Sequence, residues 1–196
     1  MYPFNHKMGQ KIQTDVPGIA VDRAFLAHFQ ISAAGAVAAS DTGVHAAMIL
    51  ADGVEAWMSL DLVSPVVPRA IRIKGNAAGI VGNCTIEGTN YLGEEITEVI
   101  IANGVAAVEG NKAFKTVTRV GMPARNAGGD TISFGWNDKL GLPYKLAHNT
   151  VLNAYHDNAK EGTAPTVATS STAIESNTID LNTVLNGKVV DVYLIG

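Results

Sequence analysis

The sequence predicts an all-β fold, a β-sandwich or related barrel with an extended N-terminal arm, and three observations lead there. From Val44 onward the apolar residues recur with a period of two instead of 3.6, as strands with one buried face require. Clusters of Gly, Asn, Asp and Pro interrupt the chain roughly every eight to twelve residues, the spacing of turns in sandwiches and barrels. Hardly any stretch carries the i, i+3, i+4 apolar pattern of an amphipathic helix.

Residues 1–22 alternate polar and small apolar types around Pro3 and Pro17 without a helical period, and form the expected arm. The body, 23–196, is either one sandwich or two β subdomains split near 65–70, at Pro65 and Pro68. It opens with Ala24 to Ile31 and continues into an Ala/Gly-rich stretch, Ser32 to Ser40. Such small residues either pack closely or link, and their composition favours a flexible linker. Val54, Ala56, Met58, Leu60 and Leu62 alternate with Glu55, Trp57, Ser59 and Asp61, a two-faced strand ended by the prolines. Further two-faced runs carry Ile71 and Ile73, Cys84 and Ile86, Ile132, Phe134 and Trp136, Ile179 and Leu181, and finally Val190, Val192 and Leu194. The last of these places the C-terminal segment inside a sheet. Tyr144 to Lys160 fits either a helix or a bent strand, and extended structure is favoured. Ile96 and Ile101 have opposite parity, which predicts a β-bulge or a strand buried on both faces. Asn103-Gly104 is the sharpest hairpin signal.

The chain has 196 residues, enough to close a core without disulfides, and its single cysteine, Cys84, makes no internal bridge. Charged residues are 16% and apolar residues 47% of the chain, which excludes intrinsic disorder. Fourteen basic against eighteen acidic residues, with no basic cluster, argue against nucleic acid as a partner. No apolar run approaches the roughly 20 residues of a membrane helix. The start, Met1-Tyr-Pro-Phe-Asn-His6, lacks a basic region followed by an apolar one, so synthesis in the cytoplasm and no membrane partner are expected.

The search for chemistry returns weak motifs. Asp41-Thr-Gly43 matches the tripeptide of aspartic proteases, but it follows a small-residue stretch and reads better as a polar turn before the strand at Val44. The histidines at 6, 28, 45, 148 and 156 never take the spacing that sets two imidazoles on one helical face. His148, His156 and Asp157 would meet at a metal only if the chain bends between them, so no metal or cofactor is expected. Glu94, Glu95 and Glu98 read as a solvated strand face, not as a glycosidase pair. Cys84 reads as a small buried hydrophobe, and Asn83-Cys-Thr85 is a formal glycosylation acceptor without a secretory context. No Gly-rich segment has the spacing of a phosphate cradle. Trp57 falls on the polar face of its strand, where a subunit contact is a better reading than a sugar-stacking platform.

The segment Arg69-Ala-Ile-Arg-Ile-Lys-Gly-Asn-Ala-Ala-Gly-Ile-Val-Gly-Asn-Cys-Thr-Ile-Glu-Gly-Thr-Asn90 continues through Gly93 to Glu98 and Gly110 to Thr118. Together with Asp138 to Leu146, Gly162 to Pro165, Ser171 to Leu181 and Asp191 to Leu194, it resembles virion structural proteins of tailed phages and prophages. The likeness runs from about Val21 to the end. It implies a β-rich protein present in many copies on a capsid, a decoration (cement) protein that binds between capsomers. It brings no catalytic residues, and its expected location is the virion. The implied partners are the major capsid protein and copies of the chain itself, a trimer being a plausible assembly. The arm would supply Tyr2, Pro3, Phe4, Ile12 and Val16 as anchors, and Trp57 would join the subunit contact. A tail-tube or head-completion subunit is the alternative within this class. Outside it stand a carbohydrate-binding module using Trp57, Tyr91 or Trp136, and a hydrolase using Asp41 or the Glu94, Glu95, Glu98 group.

Overall fold

Alternating burial converts most of the expected runs into strands in the computed structural model, which describes residues 26–195 and the backbone of 12–13 and 20–21. The strands are β1 (Ile12–Gln13), β2 (Ala20–Val21), β3 (Leu26–Ile31), β4 (Ser40–Ile49), β5 (Ala56–Met58), β6 (Arg69–Gly75), β7 (Val81–Thr89) and β8 (Glu95–Asn103). They continue as β9 (Val108–Phe114), β10 (Thr116–Met122), β11 (Thr131–Gly141), β12 (Val151–His156), β13 (Ala159–Lys160), β14 (Thr166–Ala168), β15 (Thr178–Asp180) and β16 (Val190–Ile195). A single 3-10 turn at Ile174–Ser176 is the only helical element among the described residues. The fold is all-β.

The strands form antiparallel sheets. One runs β5-β10-β7-β8, a second β14-β15-β11-β6-β9 with β4 also paired to β11, and a third β13-β12-β16-β3. β1 and β2 make a separate two-residue ladder. Two hydrophobic cores lie among these sheets. The first holds Val44, Ile71, Ile73, Cys84, Ile86, Phe114, Ile132 and Phe134; the second holds Ile31, Leu140, Leu142, Ile179, Val190, Val192 and Leu194. Each such side chain contributes roughly 1.5–3 kcal/mol by leaving water. The cores are not consecutive in the chain, because the second takes residues from both before β4 and after the middle of β11. Residues 65–70 lie at their junction: Val67 packs on the second core and Ile71 belongs to the first.

β11 joins the two cores, and one buried cation sits where it crosses between them. Its first half pairs with β4 and β6 and its last residues with β15. Against β6 the register shifts between Trp136 and Leu140, so four steps on β11 face two on β6. Such a bulge leaves backbone groups without ladder partners. Arg69, 1% exposed, fills the gap: its Nε donates to Asn137 O at 2.9 Å, Nη1 donates to Val37 O at 2.7 Å, and Nη2 reaches both Asn137 O and Asp138 Oδ1.

Several expectations change. Ser32 to Ser40 is a packed turn and not a flexible linker: Ala36 is fully buried, Gly35 N and Ala36 N both donate to Ser32 O, and a Cβ on Gly35 would come within 2.5 Å of Val67. The small side chains are there for close approach. The expected strand from Val54 to Leu62 shrinks to β5, with Val54 and Leu60 exposed; Asp61 at φ 57° breaks the extended run. β8 carries neither bulge nor second buried face. It pairs with β7 without a register shift from Thr89↔Glu95 to Val81↔Asn103, burying Ile96, Ile100 and Ala102 and exposing Val99 and Ile101. Asn103-Gly104 does form a tight turn, with Gly104 at φ 59°, but no hairpin follows. β8 pairs with β7 and β9 with β6, so the turn carries the chain from one sheet to another. Tyr144 to Lys160 holds no helix: 144–150 is irregular with bends, and only Val151–His156 and Ala159–Lys160 are extended, as the β12–β13 hairpin.

Candidate functional site

The outer face of the β5-β10-β7-β8 sheet presents both candidate contact features, a tryptophan and an apolar edge. Trp57 on β5 stands opposite Gly121 on β10, and its ring lies close over that glycine, 3.1 Å from where a Cβ would be. The Arg119 guanidinium stacks on the same ring, 4.1 Å from its centroid, while its Nε and Nη2 donate to the Glu87 carboxylate at 2.8 and 3.1 Å. Gly121 makes room, and the Arg119–Glu87 pair holds the indole flat with 46% of the residue still exposed. A cation over an exposed indole contributes about 0.5–1 kcal/mol.

At the other margin of the sheet, β8 is an edge strand. Val99 and Ile101 share its outer face with Val81 of the neighbouring β7, since Thr85 pairs with Val99, Asn83 with Ile101 and Val81 with Asn103. They are 54–65% exposed. Natural edge strands usually carry charges that discourage pairing with other chains; this one has Glu95 at its start, but Val99 and Ile101 further along its outer face are branched apolar side chains. The opposite parity of Ile96 and Ile101, expected to mean a bulge or a strand buried on both faces, reflects neither: Ile101 is exposed, as is Val99 beside it on the same face. Their odd parity, shared with Val81 on the neighbouring strand, is the signal that separates them from Ile96 and Ile100.

The inner margin of β8 is tied to β9. The Glu98 carboxylate accepts the backbone N–H of Asn111 at 2.7 Å and that of Lys112 at 3.3 Å, and Lys112 Nζ donates to Thr97 O at 2.9 Å. Burial raises the Glu98 pKa, opposed by those N–H donors and by Lys112 and Lys139. The carboxylate therefore staples two sheets where no backbone ladder joins them, and does not stand beside Glu94 as an acid/base pair. Glu94 instead accepts Asn90 Nδ2 at 2.8 Å.

The remaining candidates resolve in structural terms. Asp41 lies within β4, not in a turn before it, and reaches over β11 to Arg72 Nε at 3.0 Å and Lys74 Nζ at 2.9 Å. Gly135, paired with Arg72, permits this, because a Cβ there would fall 1.8 Å from Ser40 O. Both Asp41 oxygens thus face cations, unlike the carboxyl pairs that share a proton. Trp136 is half-buried against the first core with its indole over Gly43, which removes it as a stacking platform. Cys84 is fully buried and burial pushes its thiol up to about 12, so it stays protonated at neutral pH. Asn83, Asn90 and Gly93 serve the β7–β8 hairpin, whose turn is closed by Leu92 N and Glu94 N donating to Asn90 Oδ1. Among the described residues no three His, Cys, Asp or Glu side chains gather as metal ligands, and no helix is long and apolar enough to cross a membrane.

Of the expected anchors, Tyr2, Pro3, Phe4 and Val16 lie outside the described residues, and of Ile12 only the backbone is described, opposite Val21. Comparison of the chain with protein-family models, with curated proteins and with solved structures found no match in any of the three.

Proposed function

We propose that this protein is a structural subunit of a tailed-phage virion, a decoration protein that stabilises the head by binding between capsomers. The observation that supports this reading best is the unpaired β8 edge, with Val99, Ile101 and the neighbouring Val81 of β7 exposed on one face. A subunit that spends its working life against neighbours gains from such a surface, whereas a free monomer carries it as an aggregation hazard. On this reading the β8 edge meets a second copy of the chain around a symmetry axis, and Trp57 extends that contact. The arm, through Tyr2, Pro3, Phe4, Ile12 and Val16, binds the major capsid protein. Binding confined to the expanded shell shifts the capsid toward that state by mass action, and each further contact made by one assembly is intramolecular, adding avidity.

The test is to express the chain with the head proteins encoded beside it, purify the particles and count its copies. Hundreds of copies over the shell support decoration. A few dozen confined to the tail support a tail-tube or head-completion subunit instead, and absence from particles overturns the virion reading. Val99→Lys with Ile101→Lys is expected to leave the chain folded while removing self-association in light scattering.

A further inference from the structure

We propose that the outer face of the β13-β12-β16-β3 sheet binds a saccharide, seating a pyranose ring in the corner between Tyr155 and Tyr193. Antiparallel register assembles this face from separate strands. Tyr155 on β12 stands opposite Asp191 on β16, and Asp191 opposite Gln30 on β3; Tyr193 stands opposite Asn153 and His28. Neither tyrosine belongs to either core, and both line an open cavity of about 330 Å³ together with Asn158 and Asp191.

The corner is built before any ligand arrives. The Tyr155 and Tyr193 rings are nearly perpendicular, at 80° with centroids 5.8 Å apart. His28 lies flat on Tyr193, 4.6 Å away and inclined by 9°, which fixes that ring and covers one of its faces. His28 Nε2 also bonds Asp191 Oδ1 at 2.7 Å, and Gln30 Nε2 donates to the same oxygen at 2.9 Å. Both bonds use Oδ1, so Oδ2 is engaged by neither. Asp157 and Asn158 both have positive φ, 52° and 64°, the geometry of a two-residue type I′ hairpin, and this turn brings Asn158 to the cavity.

The chemistry of the lining selects the ligand class. One face of a pyranose carries C–H groups that pack on an aromatic ring, while its equatorial hydroxyls need oriented acceptors and donors at the periphery. Two fixed aromatic walls, a carboxylate whose Oδ2 is engaged by neither His28 nor Gln30, and an amide supply that combination in a preformed, solvent-open cavity. Rings already locked by stacking lose little freedom on binding, which lowers the entropic cost of capture. A neutral sugar also asks for no counter-charge, and Asp191 already has His28 and Gln30 beside it. This inference is independent of the virion reading, since it concerns a different sheet and needs no particle.

Titration calorimetry of the full chain with maltose, lactose, chitobiose and a purified bacterial wall polysaccharide tests it. Saturable binding to at least one is expected, weakened about tenfold by Tyr155→Ala or Tyr193→Ala and unchanged by Trp57→Ala. Tyr193→Phe keeps the stacked ring and is expected to keep most of the affinity, which separates ring loss from misfolding; Asp191→Asn should weaken binding with an unchanged melting curve. No saturation with any of the four at millimolar concentration overturns the proposal. So does affinity indifferent to both tyrosines, or saturation by tetramethylammonium in place of the sugars.

Discussion

Replacing Arg69 by alanine is expected to be among the most damaging single substitutions in this protein. The side chain is 1% exposed and donates to two backbone carbonyls, Asn137 O and Val37 O, and to the Asp138 carboxylate. Burial lowers the guanidinium pKa to about 10, partly offset by Asp138, so the group remains charged at neutral pH. Alanine leaves both carbonyls without that donor, each costing about 1–3 kcal/mol when buried. The Asp138 side chain is 23% exposed, and water recovers part of its loss. The total is about 3–5 kcal/mol, the range for breaking a buried charge pair, against a typical net stability of 5–15 kcal/mol. In a chain of this length that lowers the melting temperature by roughly 6–20 °C. Urea titration followed by tryptophan fluorescence measures it directly. Arg69→Met restores apolar volume without the donors and should recover at most the cavity part; Arg69→Lys keeps the charge without the fork and should fall between. A cost below about 1 kcal/mol for Arg69→Ala would refute the assignment of the β11 bulge to this side chain.

Further outcomes follow from the same geometry. Gly135→Ala drives a Cβ into the Ser40 carbonyl at 1.8 Å and is expected to cost about 3 kcal/mol by overpacking, read from a circular-dichroism melt. Cys84, buried and protonated, should react with iodoacetamide only as fast as the first core opens, so its labelling rate in rising urea should track global unfolding. Asp180 and Asp138 both have raised pKa values, each from burial first, with Asp138 and Glu109 adding to Asp180. A carboxylate whose folded pKa is raised binds its proton more tightly when folded, so its contribution to stability is present below the unfolded pKa and is lost as pH rises through the folded one. Asp180→Asn should therefore stabilise the protein at pH 7 relative to wild type, with the difference shrinking toward pH 4 in parallel denaturant titrations.

Much of the fold was legible because strand burial is local information. Ile71 and Ile73, Cys84 and Ile86, Ile132 and Phe134, and Val190, Val192 and Leu194 each needed only the residues beside them to show which face is apolar, and all are buried. Errors arose where a local pattern met a distant constraint. Val54 to Leu62 alternates well, but only Ala56–Met58 finds a partner strand, β10, and an alternating run without a partner has no ladder to hold it extended. Ser32 to Ser40 has the composition of a linker, and only the approach of Val67 and the Arg69 bond to Val37 O make it a packed turn.

The candidate contact surfaces are harder to read for the same reason taken one step further. A surface such as Tyr155, Asp191 and Gln30 is a row across three strands, and its members lie 36 and 161 residues apart in sequence. Nothing in the neighbourhood of Tyr155 announces Asp191; the pairing register creates the row, and slipping it by one residue would turn every member to the opposite face. The β8 edge is the intermediate case. Val99 and Ile101 are adjacent in parity and visible as apolar, yet their place on an unpaired edge strand depends on β9 joining another sheet after Gly104. Had the Asn103-Gly104 turn closed a hairpin, β9 would have paired with β8 and β8 would no longer be an edge. The exposed edge therefore exists because the chain leaves the sheet at that turn, with Glu98 bonded to Asn111 N and Lys112 N in place of a ladder. Opposed parities of Ile96 and Ile101 thus mark a strand with one face in the core and the other available for contact, a distinction that composition alone does not carry.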